Sequence, residues 1–222
     1  MSLTALSTSL LILLHLCELT SAIVSIWYFN THKKGARYFT LYLCFIVLAE
    51  LIGFLLRLQP TRIYNTYFFS FFVIPIEYIF FYWYLMYSSF QKRYYWFSAT
   101  MSIVYIASIL LEYYFKQEIV FLSLSYMIGA IGMLLSILIN FSFHLNHKNM
   151  AEIKKEPSIY ISIGLLIFYI GTFPYFGLKN YLYTYYINVC IVYGFVQMVF
   201  NCIMYCMFTY SFLCNRRTSI SS

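Results

Sequence analysis

The chain has 222 residues, of which 63% are apolar or aromatic and 9% charged, with a net charge of +7 and a mean hydropathy of +0.76. A soluble domain carries about 25% charged residues to cover its surface, so the outer surface here faces something apolar, namely lipid. The cations are spread through short polar connections rather than gathered into a patch, which argues against a nucleic-acid partner.

A hydrocarbon core of about 30 Å needs roughly 20 helical residues to cross it. Seven apolar runs reach that length: about 6–29, 37–57, 64–90, 95–115, 118–143, 158–178 and 182–213. The predicted fold is therefore all-α, a seven-transmembrane-helix bundle forming a single domain over 1–222. Between the runs lie only short punctuations, such as Gln59-Pro60-Thr61, Lys116-Gln117-Glu118 and Lys179-Asn180.

The first run has no Lys or Arg in residues 1–14 and continues past Glu18 to Trp27, so it reads as a retained helix rather than a cleaved signal. His15 and Glu18 are three residues apart and share a helix face. In the second run Glu50 lies slightly to the outer side of the centre, with Arg57 seven residues on along the same stripe. The third run holds Pro75, predicted to kink the helix and free the Phe71 carbonyl, and Glu77 near its centre. The fourth places Glu112 near its outer end, on a stripe with Tyr105 and Ser108.

The fifth run carries Ser125, Gly129, Gly132, Ser136 and Asn140 on one face, then His144 and His147, expected as interfacial residues. The sixth carries Gly164 and Gly171, with Pro174 near its outer end. The seventh carries Cys190, Gly194, Gln197, Asn201 and Tyr205. Small and polar stripes of this kind predict helix–helix seams in lipid, with the lining of a pore or pocket as the alternative. The six cysteines lie in or beside apolar runs, away from any outer loop, and are read as packing thiols rather than a disulfide framework.

Orientation follows from Lys and Arg. With the N-terminus outside and the C-terminus cytoplasmic, the inner segments hold ten cations: Lys33, Lys34, Arg37, Lys92, Arg93, Lys148, Lys154, Lys155, Arg216 and Arg217. The outer segments hold four: Arg57, Arg62, Lys116 and Lys179.

All seven acidic residues are glutamates, and three of them fall at similar depth in consecutive helices. A carboxylate at a helix centre costs about 2.5–3.5 kcal/mol to insert, so Glu18, Glu50 and Glu77 are the candidate functional cluster. Positive charge is short at that depth. Three readings stay open: neutral carboxyls donating hydrogen bonds between helices, an outer-facing pocket for a proton, cation or amine-bearing ligand, or a metal held by His15 and the three carboxyls. The binding set taken forward is Glu18, Glu50, Glu77, His15, Gln197 and Asn201, with no catalytic residue, cofactor or metal assigned.

Residues 182–213 contain no Lys, which argues against a retinal protein, and neither a His-Glu-x-x-His nor a Gly-x-Ser-x-Gly motif is present. The first three runs do not echo the last three, as the sugar carriers with parallel three-helix repeats would require. The stretch Ile161-Ser-Ile-Gly164-Leu-Leu-Ile-Phe-Tyr-Ile-Gly171-Thr-Phe, with Phe200-Asn201-Cys-Ile-Met-Tyr205, resembles small uncharacterised seven-helix membrane proteins of Bacteroidota. That resemblance covers about the last quarter of the chain. It implies a bacterial inner membrane and, for some similar proteins, a connection with sensory signalling; it transfers no functional residue. The expected function is a sensor-like or receptor-like protein signalling to a separate membrane or cytoplasmic partner. The alternative is a small proton- or cation-coupled transporter.

Overall fold

The structure, a computed structural model, describes residues 3–29, 34–57, 63–87, 92–115, 122–147, 149–153 and 156–219. Of the cations used for orientation, Lys33, Arg62, Lys116, Lys148, Lys154 and Lys155 lie outside these residues, as do the punctuations around Pro60 and Gln117. The described chain is helical with no strand: α1 (Leu3–Trp27), α2 (Lys34–Arg57), α3 (Ile63–Phe68), a π-helical turn (Phe69–Val73), α4 (Ile74–Tyr87), α5 (Lys92–Phe115), α6 (Ser123–His147), α7 (Met150–Ile153), α8 (Pro157–Tyr185) and α9 (Ile187–Ser219). With α3, the π turn and α4 counted as one, seven helices are long and apolar enough to cross a membrane.

The break between the last two runs departs from the sequence reading. Lys179-Asn180 does not interrupt the chain; α8 runs through it and past Pro174 to Tyr185, and the break falls at Tyr186. The Lys179 ammonium lies 5.7 Å from the Tyr175 ring centroid and 5.3 Å from that of Phe176, a cation–π setting that lets the helix carry the charge. Pro75 is accommodated upstream of itself. The chain widens so that the Ile74 N–H donates to the Phe69 carbonyl, five residues back, just before the proline that has no N–H to offer.

Six of the seven close into a ring. α1 packs on α2 and α9, α9 on α8, α8 on α6, α6 on α4, and α2 meets α3, the π turn and α4. The remaining helix, α5, stands outside the ring against α4 and α6. Polar residues point inward: Ser21, Ser25, Thr40, Ser125, Ser136, Asn140 and Ser162 are buried, while Leu16, Ile23, Leu41, Leu48, Leu110 and Leu138 are exposed. This inversion of the soluble pattern is what a hydrocarbon surround favours.

The α6 seam forms as the spacing predicts. Ser125, Gly129, Gly132, Ser136 and Asn140 are all buried. A Cβ at Gly129 would sit 2.8 Å from Tyr78 and 2.9 Å from Tyr105, so only glycine lets these rings approach. The Asn140 amide donates to the Leu85 carbonyl at 2.9 Å and accepts from the Ser162 hydroxyl at 3.2 Å, joining α4, α6 and α8. His144 departs from its expected interfacial place: it is buried, with Nε2 3.0 Å from the Ser158 hydroxyl, and only His147 is exposed. α8 and α9 meet closely at Gly164, whose Cβ would lie 3.1 Å from the Met207 Cβ and 3.2 Å from the Met204 carbonyl.

The ends of the bundle differ. At the end holding the later part of α4 and α9 and the early part of α2, Phe39 is fully buried. Its ring contacts those of Tyr42, Phe81, Tyr84, Phe208 and Phe212. Tyr42 stacks on Phe80 at 4.4 Å. Leu85 and Met86 complete this filled aromatic half. Toward the end where α1 begins, the interior is open.

Candidate ligand cavity

A cavity of about 270 Å³ occupies the open half. Its walls come from α1, α2, the π turn and α4, α6, α8 and α9, which are the six members of the ring; α5 contributes nothing. All six residues singled out from the sequence, His15, Glu18, Glu50, Glu77, Gln197 and Asn201, line it. They reach one space from four helices because each belongs to the inward polar stripe of its own helix.

Both partners expected from spacing are in place. His15 Nδ1 lies 3.1 Å from Glu18 Oε2, and Arg57 Nη2 donates to Glu50 Oε2 at 3.3 Å. Arg57 also lines the cavity. The third carboxyl differs: among the described residues, Glu77 faces no cation. The buried Tyr42 hydroxyl is close to it, but no hydrogen bond of ordinary geometry closes between them. Three acids are therefore set against one guanidinium and one imidazole, in surroundings where unpaired charge is costly.

The α9 stripe does two jobs. Gly194 is not pressed against a neighbouring helix, since a Cβ there meets only the Tyr175 hydroxyl, at 3.9 Å. Gln197 and Asn201 turn to the cavity, and among the described residues neither amide makes a side-chain hydrogen bond. The seam reading holds for Tyr205, which is buried, and the lining reading holds for the two amides. Tyr205 also lines the cavity.

The sequence reading missed the tyrosines. Tyr169 is 2% exposed and lines the cavity, and its hydroxyl makes no hydrogen bond among the described residues. Tyr78 and Tyr126 also line it. With 25 tyrosines in the chain, no pattern separates these from the interfacial ones.

Glu112 falls elsewhere. Its buried carboxylate accepts from the backbone N–H groups of Leu124 (3.2 Å) and Ser125 (2.7 Å) and from the Ser125 hydroxyl (2.7 Å). It thus caps α6 where the orphan donors and the positive end of the helix dipole lie, and ties the peripheral α5 to the ring. Among the described residues no three of His, Cys, Asp and Glu converge as a metal site. Among the described residues no disulfide joins any of the six cysteines; Cys17 of α1 lies near Cys202 and Cys206 of α9, and Cys206 is exposed rather than packed. No family model, curated protein or solved structure matches the chain.

Proposed function

We propose that this chain is a receptor-like integral membrane protein, N-terminus outside and C-terminus in the cytoplasm, that binds a small organic cation in its polar cavity. Its place is a bacterial inner membrane, and it signals to a separate membrane or cytoplasmic partner. The observation that carries the reading is the convergence of Glu18, Glu50 and Glu77 on one cavity with Glu77 lacking a cationic partner. An ammonium there gains a charge-assisted hydrogen bond and relieves repulsion among the acids. Gln197, Asn201 and Tyr169 offer uncommitted polar groups to orient the rest of the ligand.

The N-out orientation supports an outward opening, because the cavity is walled by the first half of α1, the last part of α2 and the start of α6. Reception is favoured over transport by the aromatic packing around Phe39, which among the described residues fills the interior of the other half of the ring. A binding change is transmitted most directly through α4 and α9, each of which lines the cavity and then enters that aromatic half.

The test uses purified protein in lipid nanodiscs titrated with propylammonium, followed by calorimetry, with flux measured in vesicles. The expected result is saturable binding without flux. Glu77→Gln should weaken binding about 10- to 100-fold, the worth of one hydrogen bond to a charged group. Flux of the amine would favour the transporter. Unchanged binding in Glu77→Gln would overturn the cavity as the site.

A further inference from the structure

A second hollow, of about 260 Å³, lies on the outside of the ring between α1 and α2. Its walls are Leu19, Val47, Leu48, Leu51 and Phe54, together with His15, Glu18 and Glu50. The last three residues also line the polar cavity. These three residues thus form part of the wall between the two spaces. Glu18 itself is 5% exposed, whereas the side chains of His15 and Glu50 are 31% and 24% exposed, so the latter two are the more accessible part of that wall.

The two spaces have opposite chemistry. The inner one offers three carboxyls, two amides and the unpartnered Tyr169 hydroxyl, which is buried at the cavity wall. The outer one is apolar apart from the partition, and Leu19, Leu48, Leu51 and Phe54 are exposed on the face that an apolar surround would cover. The stretch from Val47 to Phe54 gives the groove a length of about 10 Å along α2. A bilayer acyl chain lying there would set hydrocarbon against two carboxyls and bring no cation to balance them, which is costly. A hydrophilic cation would leave the groove unused.

We infer that the ligand is a single-chain amphiphile with an ammonium head. The head sits among Glu18, Glu50 and Glu77, and the alkyl chain runs past the His15–Glu50 partition into the groove between α1 and α2. This rests on the reading of the cavity as a cation site and names its ligand class and its route of entry, sideways from the bilayer. The chain is held by burial against Leu48, Leu51 and Phe54, and the head by charge, so the two contributions separate by mutation.

The experiment compares decylammonium with propylammonium, and with decyl sulfate as the anionic counterpart, on protein in nanodiscs, subtracting partition into empty discs. Leu48→Trp and Leu51→Trp each fill the groove while keeping all three carboxyls in the chain, and Leu41→Trp, on the exposed face of α2 outside the groove, controls for an added indole. The groove variants should weaken decylammonium about ten-fold, equivalent to some two buried methylenes, and leave propylammonium unchanged. Retained propylammonium binding also certifies that each variant is folded. Glu77→Gln should weaken both amines. Groove variants that leave decylammonium unaffected while Glu77→Gln weakens both amines would overturn the inference and spare the cation site. Both amines indifferent to Glu77→Gln would overturn the cation site itself. Decyl sulfate binding as tightly as decylammonium would reduce the groove to an acyl-chain contact and also overturn the inference.

Discussion

Replacing Gly132 by Ala tests the α6 seam most sharply. The added methyl would sit 2.6 Å from the Tyr82 hydroxyl oxygen and 3.2 Å from the carbon that bears it. Tyr82 is 1% exposed, and its hydroxyl donates a 2.7 Å hydrogen bond to the Gly129 carbonyl. The ring cannot withdraw without breaking that bond. Leaving the buried hydroxyl unsatisfied costs about 1–3 kcal/mol, and overpacking costs about 1–3 kcal/mol more. Alanine's helical advantage over glycine returns about 1 kcal/mol. The net expectation is a destabilisation of about 1–5 kcal/mol, combining those ranges. Gly194→Ala is the control, since its methyl meets only one oxygen at 3.9 Å; it should be neutral or stabilising by up to about 1 kcal/mol. Equilibrium unfolding in mixed micelles reads both. Tyr82→Phe removes the oxygen that clashes, so in that background Gly132→Ala should cost at least about 1 kcal/mol less, a coupling typical of touching residues. Equal costs in both backgrounds, or a Gly132→Ala variant as mild as Gly194→Ala, would refute the reasoning.

Glu112→Ala strips three hydrogen bonds from the start of α6 and should lower stability by about 1–3 kcal/mol with amine binding retained; calorimetry of the same sample reads both quantities. In a background without native cysteines, Asn188→Cys should label from outside intact cells and Asn149→Cys only after permeabilisation. Both residues are exposed and sit at opposite ends of the bundle, so outside labelling at Asn149 would reverse the orientation. Propylammonium binding should weaken as pH falls, because protonated carboxyls no longer attract the cation. The dependence should be shallower in Glu77→Gln, which has one fewer carboxyl to protonate, and equal slopes for the two proteins would speak against Glu77.

The helices and their inward faces were largely legible because lipid leaves few choices. A polar or small residue in a long apolar run belongs inside, and steps of three and four place such residues on one face. That logic found Gly129, Gly132 and Asn140 at the α6 seam and brought His15, Glu18, Glu50 and Glu77 to one side of their helices. It failed where a polar residue was tolerated for a local reason. Lys179 looked like a loop marker but is carried on aromatic rings. His144 looked interfacial but meets Ser158 inside, a partner 14 residues away that periodicity does not reveal. Glu112 gave no hint of capping the next helix, because that contact depends on how the chain turns between α5 and α6.

The neighbour order of the helices was the least legible feature, and the cavity depends on it. Gly194, Gln197 and Asn201 satisfy the same rule as Gly164, since lipid excludes an amide from the outer surface whether it meets a helix or a hollow. Only the ring decides which. Gly164 and Gly171 draw α8 against α9, with Gly171 seated on the Phe200 ring and Gly164 on the α9 backbone. Asn201 follows Phe200 directly, so these glycines also fix how far Gln197 and Asn201 stand from the glutamates across the cavity. Close packing on one side of α9 is what holds space open on the other.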